Sequence, residues 1–248
     1  MGNSSILTNI YLCFICLRGV LHMIRFNIFK DIEAPENIER INLFIGFAIG
    51  LILLGVFNNI PSQQANATIF MIMLITWGFV TEIEQSASKH SRKSLIVYGV
   101  GKNFATAIIV GAVFGFALNS AGQSIVPAFA IISTPVLSLL FVGVCAPFIE
   151  ANFFRGLVLG HTIGFFENLG VKSELVAGSL AIVMQAGMFA WFHTIVIMGT
   201  GAFFPSDPWL LLPYFVFGLV SGVGVILFKS IGFEYGLHGV NNLLFLFR

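Results

Sequence analysis

The 248 residues carry a formal net charge of +1, with 57% hydrophobic and only 9% charged side chains. Such a balance excludes a water-soluble globular domain, a basic surface for nucleic acid and an acidic interaction tail. What remains is an integral, multi-pass membrane protein of the all-α class: a polytopic membrane helix bundle forming one domain over residues 1–248.

Apolar runs fall at residues 6–24, 43–60, 67–83, 95–118, 127–158, 175–200, 209–228 and 231–247. Each approaches the length a helix needs to cross the ~30 Å hydrocarbon layer, so about eight transmembrane helices are predicted. The first run has no charged stretch before it and is interrupted by Arg18 and His22, which marks a membrane helix rather than a cleaved leader. Cys13 and Cys16 lie inside that run and Cys145 inside a later one, where they act as apolar fillers and not as a disulfide framework. Polar connections are expected at Arg25–Arg40, Pro61–Asn66, Glu82–Ser94, Asn119–Ser124, His161–Glu174, Gly201–Pro208 and Lys229–Ser230. Numbered alternately, these loops place every loop lysine and arginine except Arg248 on one side, which the positive-inside rule assigns to the cytoplasm, with both termini opposite. Glycines four residues apart, at Gly46/Gly50, Gly111/Gly115, Gly156/Gly160/Gly164 and Gly218/Gly222, predict helix faces that pack at close backbone distance.

Against this background the polar residues of the second half stand out. An ionisable side chain at the bilayer centre costs roughly 2.5 to 3.5 kcal/mol on insertion scales, so one left there calls for a functional reason. Glu150 follows Pro147 and precedes the pair Phe153-Phe154. His238 and Asn242 are four apart and share a helix face, and Gly239 beside them removes bulk that would hold a substrate backbone away. Phe189 and His193 are also four apart, setting an aromatic wall and an imidazole toward one groove. Glu150 and Arg155 are five apart, about 140° round an α-helix, so a direct pair is not expected and Arg155 is expected to bond a neighbouring helix or loop and act as structural support. A carboxylate enclosed by apolar atoms is a capable general base for activating water, His193 can share that proton, and His238 with Asn242 can stabilise an oxyanion. Together these roles describe hydrolysis of a peptide bond without a covalent intermediate.

Three blocks carrying these residues resemble a known family, the CAAX prenyl endopeptidases and their relatives, the CPBP intramembrane glutamic endopeptidases. The run from Cys145 to Gly156, containing Glu150 and Arg155, is similar to the family's Glu-Glu-x-x-x-Arg motif. Phe189 to His193 is similar to its Phe-x-x-x-His motif, and His238 to Asn242 to its His-x-x-x-Asn motif. The resemblance covers residues 127–248, which would carry the catalytic core. It implies Glu150 as base, His193 as its partner on the water, His238 and Asn242 as oxyanion donors, and Arg155 and Phe189 in support. It implies no metal and no cofactor, membrane lipid as surroundings, and a peptide or protein substrate with a prenylated or membrane-tethered C-terminus. Ala151 departs from the pattern, because the family has a second acid there.

Plainer readings stand beside these. His22, His90 and His161 read as helix-to-helix hydrogen bonders, and Arg18, Lys102, Glu82, Glu84 and Glu234 as residues at span ends that reach the interface. Zinc is the minor alternative: Glu150, His193 and His238 are ligand types, but no His-Glu-x-x-His helix is present. A non-catalytic membrane scaffold or immunity-type relative is the alternative function, and a proton-relay transporter a third, for which the paired halves of transporter folds are missing. The predicted spans also set His238 toward the basic-loop side and His193 toward the other, so a late start, tilt or break is expected in the helix bearing His193.

Overall fold

A computed structural model describes residues 67–77, 103–122, 135–193 and 207–247. The expected spans at 6–24 and 43–60, the basic loops at 25–40 and 82–94, and Cys13, Cys16, Arg18, His22, Glu82, Glu84, His90 and Lys102 lie outside the described residues. Among the described residues the chain is helical, without a strand. In chain order the helices are α1 (Ala67–Trp77), α2 (Phe104–Ser120), α3 (residues 135–168), α4 (Glu174–Phe192), α5 (Leu211–Phe228) and α6 (Gly232–Leu246). Against about eight expected spans, three helices among the described residues are long and apolar enough to cross a membrane: Phe141–Asn168, Glu174–Phe192 and Pro208–Phe228.

The boundary of α3 corrects the sequence reading. The polar connection expected from His161 is helical as far as Asn168, because His161, Glu167 and Asn168 fall on exposed positions of the last turns and need no burial. The stop comes at Gly170, whose φ of +89° suits only a residue without a side chain, and there Leu169 and Gly170 donate to the carbonyls of Phe165 and Glu167. Ser173 then caps α4 by accepting from the Val176 amide. Inside α3 the winding changes twice: Phe141–Cys145 and Ala151–Val158 are π-helical, flanking the α-helical turn Ala146–Glu150. Wide turns of this kind gather at functional sites in proteins.

Apolar burial cannot drive helices together in lipid, so close packing and buried hydrogen bonds must. α4 illustrates this with an inner face of Ala177, Ala181, Gln185, Ala186, Phe189 and Ala190, while Leu175, Val176, Val183 and Met188 point outward. The tightest pairing is α2 against α6. A Cβ at Gly236 would sit 2.0 Å from the Ile108 carbonyl oxygen, and one at Gly111 or Gly115 would sit 2.0 or 2.3 Å from the carbonyl oxygens of Phe233 or Leu237. The obstacle in each case is backbone and cannot swing aside, so overpacking of about 3 kcal/mol or more is expected. Gly236→Val and Gly115→Val should therefore prevent recovery of a monodisperse protein in detergent, as read by size-exclusion chromatography. Gly187→Ala, where a Cβ meets nothing within 4 Å, should not.

α5 and α6 form a tight antiparallel hairpin. Lys229 takes a left-handed conformation (φ 49°), Ser230 donates its amide to the Val225 carbonyl, and the Ser230 hydroxyl accepts from the Gly232 amide. The reversal sets Ser221 opposite Glu234 and Phe217 opposite His238.

Candidate active site

Glu150 and Arg155 come from α3, Phe189 and His193 from the end of α4, and Glu234, His238 and Asn242 from one face of α6, each four residues from the next. Glu150 Oε2 stands 3.0 Å from His193 Nε2 and 3.8 Å from His238 Nε2, with all three side chains 1% exposed. The expected separation of the two imidazoles toward opposite sides is thus overturned. Phe217 of α5 stacks on Phe189 at 5.7 Å and meets the His238 ring edge-on at 5.2 Å, so His238 lies level with Phe189 and His193 is only one turn beyond.

Proton positions follow from the partners. His193 Nδ1 lies 2.9 Å from the Phe189 carbonyl oxygen, which can only accept, so Nδ1 carries a proton and donates it. Nε2, the other nitrogen, is the one turned toward Glu150. A carboxylate and a bare imidazole nitrogen would repel at that distance, so the pair holds a shared proton. The imidazole is fixed by stacking on Tyr214 at 5.0 Å and by the Phe189 ring at 4.0 Å.

Arg155 sits in a second, interlocking set. Its Nε donates to Ser221 Oγ at 2.6 Å and its Nη2 to Glu234 Oε1 at 3.2 Å, and the Ser221 hydroxyl donates to Glu234 Oε2. Arg155 and Glu234 are both fully buried, and the guanidinium carbon lies 4.4 Å from the centre of the Phe189 ring. The 140° separation reckoned from α-helical winding fails here because Arg155 belongs to the π-helical stretch. Hydrogen bonding from i to i+5 stacks residues five apart one above the other, which returns Arg155 to the side of α3 that bears Glu150.

Asn242 is anchored by donating from Nδ2 to the Val142 carbonyl at 2.9 Å, and that carbonyl lies in the first π-helical turn of α3. Asn152 donates to the Phe148 carbonyl at 2.8 Å and to Tyr235 Oη at 2.9 Å, adding a further polar tie between α3 and α6. A Cβ at Gly239 would meet the Gly143 carbonyl at 2.9 Å, so the missing side chain serves the α3 to α6 contact.

Glu234 was misread from sequence. Its place near the start of a predicted span suggests an interfacial residue, whereas it is 0% exposed and its Oε1 lies 3.3 Å from His238 Nδ1. The signal that finds it is spacing, since Glu234, His238 and Asn242 form one stripe.

Residues 132–244 match the family model of the type II CAAX prenyl endopeptidases, Rce1-like. This part of the chain is similar to that family. The matched stretch contains every site residue named above, from Val142 to Asn242. No curated protein and no solved structure matches the chain. Among the described residues, no group of three His, Cys, Asp or Glu side chains is arranged to hold a metal ion.

Proposed function

We propose that the chain is an intramembrane endopeptidase, multi-pass with about eight spans, in which Glu150 draws a proton from water as that water attacks a peptide carbonyl. His193, already proton-linked to Glu150, takes up and returns that proton. In this reading His238 and Asn242 donate to the developing oxyanion, and no bond to the protein forms. One observation carries the reading. Glu150 Oε2 is buried between two imidazoles, 3.0 Å from His193 Nε2 and 3.8 Å from His238 Nε2, whereas Glu234 in the same interior has its two oxygens engaged by Arg155 and Ser221. A carboxylate that merely ties helices together is saturated by fixed donors, as Glu234 is; one that faces two titratable imidazoles in a dry interior can take up and release a proton. Arg155 and Phe189 brace this arrangement without touching substrate.

The substrate class that fits is a peptide with a prenylated or membrane-tethered C-terminus, since the family is one of prenyl endopeptidases. The reaction as drawn needs neither metal nor cofactor. A second reading, a non-catalytic scaffold, is favoured by Ala151, which removes one of the family's two adjacent acids.

Cleavage of a prenylated peptide library by the chain reconstituted in liposomes, with and without chelator, tests the proposal. Chelator-resistant cleavage that is lost in Glu150→Gln and reduced by about 10² to 10⁴-fold in His193→Ala is expected. Chelator-sensitive cleavage would move the assignment to zinc, and no cleavage by any form would favour the scaffold.

A further inference from the structure

His238 faces two carboxylates at once. Its Nε2 lies 3.8 Å from Glu150 Oε2 on α3, and its Nδ1 lies 3.3 Å from Glu234 Oε1 on its own helix. Among the described residues Nδ1 has no aligned hydrogen bond, Glu234 Oε1 at 3.3 Å being the carboxylate it faces, and the ring is held edge-on to Phe189 at 6.2 Å and Phe217 at 5.2 Å, neither of which offers an acceptor. Behind Glu234 stand Arg155 from α3 and Ser221 from α5, which fix both carboxylate oxygens. His193 of α4 reaches this group only through Glu150.

We propose that Glu234 is a positioning residue of the site: its carboxylate, held by Arg155 and Ser221, keeps a proton on His238 Nδ1 and so presents Nε2 toward Glu150. The consequence for catalysis rests on the endopeptidase reading; the pairing itself does not. A carboxylate only accepts, so the nitrogen facing Glu234 must be the donor. A neutral His238 then has no proton on Nε2 and cannot support an oxyanion there. It donates from Nε2 only as an imidazolium, whose charge Glu234 balances on the far side of the ring, the division of labour seen wherever a buried carboxylate fixes the tautomer of a working histidine. Arg155 is needed because Glu234 would otherwise be a lone buried charge. Ala151 gives the arrangement its particular form: the acid expected next to Glu150 is absent, and the second carboxylate of the cluster arrives from α6.

The test uses the full chain in lipid nanodiscs with nitrogen-15 labelled histidine, the His238 resonances being identified by their loss in His238→Gln. In the wild type the proton should sit on Nδ1. Two double variants avoid leaving a buried charge unpaired. Arg155→Met with Glu234→Leu removes the acceptor, and should move the His238 proton toward Nε2 and lower kcat by roughly 10²-fold with KM within about threefold. Arg155→Met with Glu234→Gln keeps a carbonyl acceptor, and should keep the proton on Nδ1. A wild-type His238 protonated on Nε2 alone, or the same tautomer in both double variants, would overturn the pairing. A wild type that cleaves nothing while showing the expected tautomer pattern counts against the endopeptidase reading and supports the pairing.

Discussion

Glu150→Gln is expected to lower peptide cleavage by about 10³-fold or more while leaving the protein folded. Glutamine preserves the volume of the side chain but cannot accept a proton from water, so the loss falls on the chemical step and KM should change little. Folding is spared for a structural reason: glutamine keeps a polar group of the same size 3.0 Å from His193 Nε2, and its amide can pair with that nitrogen in place of the carboxylate. Initial rates on a reconstituted peptide, set beside thermal unfolding of the same preparations, separate the two effects. A variant that keeps cleavage within tenfold of wild type would remove Glu150 from the chemistry.

The second large effect is on stability. Arg155→Ala should destabilise the protein by about 3 to 5 kcal/mol, because it strands the fully buried Glu234 without its counter-charge. It also deprives Ser221 Oγ of its donor and opens a void beneath the Phe189 ring. Pairing it with Glu234→Leu should recover most of that loss, since a buried ion pair replaced as a unit by apolar groups of similar size is close to neutral. Reversible unfolding in mixed micelles measures both. Equal destabilisation by the single and double changes would mean that packing of the guanidinium, and not its charge, holds α3 to α6.

Much of the site was legible because the membrane makes polar residues conspicuous. Glu150, His193, His238 and Asn242 could be picked out as ionisable or amide side chains in apolar runs, and the structure brings Glu150 within 4 Å of both imidazoles. Composition likewise pointed to apolar helices, which the described residues form, and the glycines at 111 and 115 marked a close helix contact. What escaped detection depends on winding and length. Nothing in the run Ala151–Val158 signals a π-helix, and that winding is what brings Arg155 under Glu150. The continuation of α3 to Asn168 was hidden by polar residues that a helix end tolerates at its surface. Glu234 was missed because charge near a span end was weighed by its position in the chain, when its four-residue spacing from His238 was the more informative feature.

The most direct measurement is a single-turnover cleavage of a prenylated peptide by the reconstituted chain in oxygen-18 water with chelator present, read by mass spectrometry of both the product and the Glu150 peptide. The account predicts one heavy oxygen in the new C-terminal carboxylate and none in Glu150. Absence of cleavage, or label recovered on the Glu150 side chain as the mark of an acyl group carried there, would contradict it.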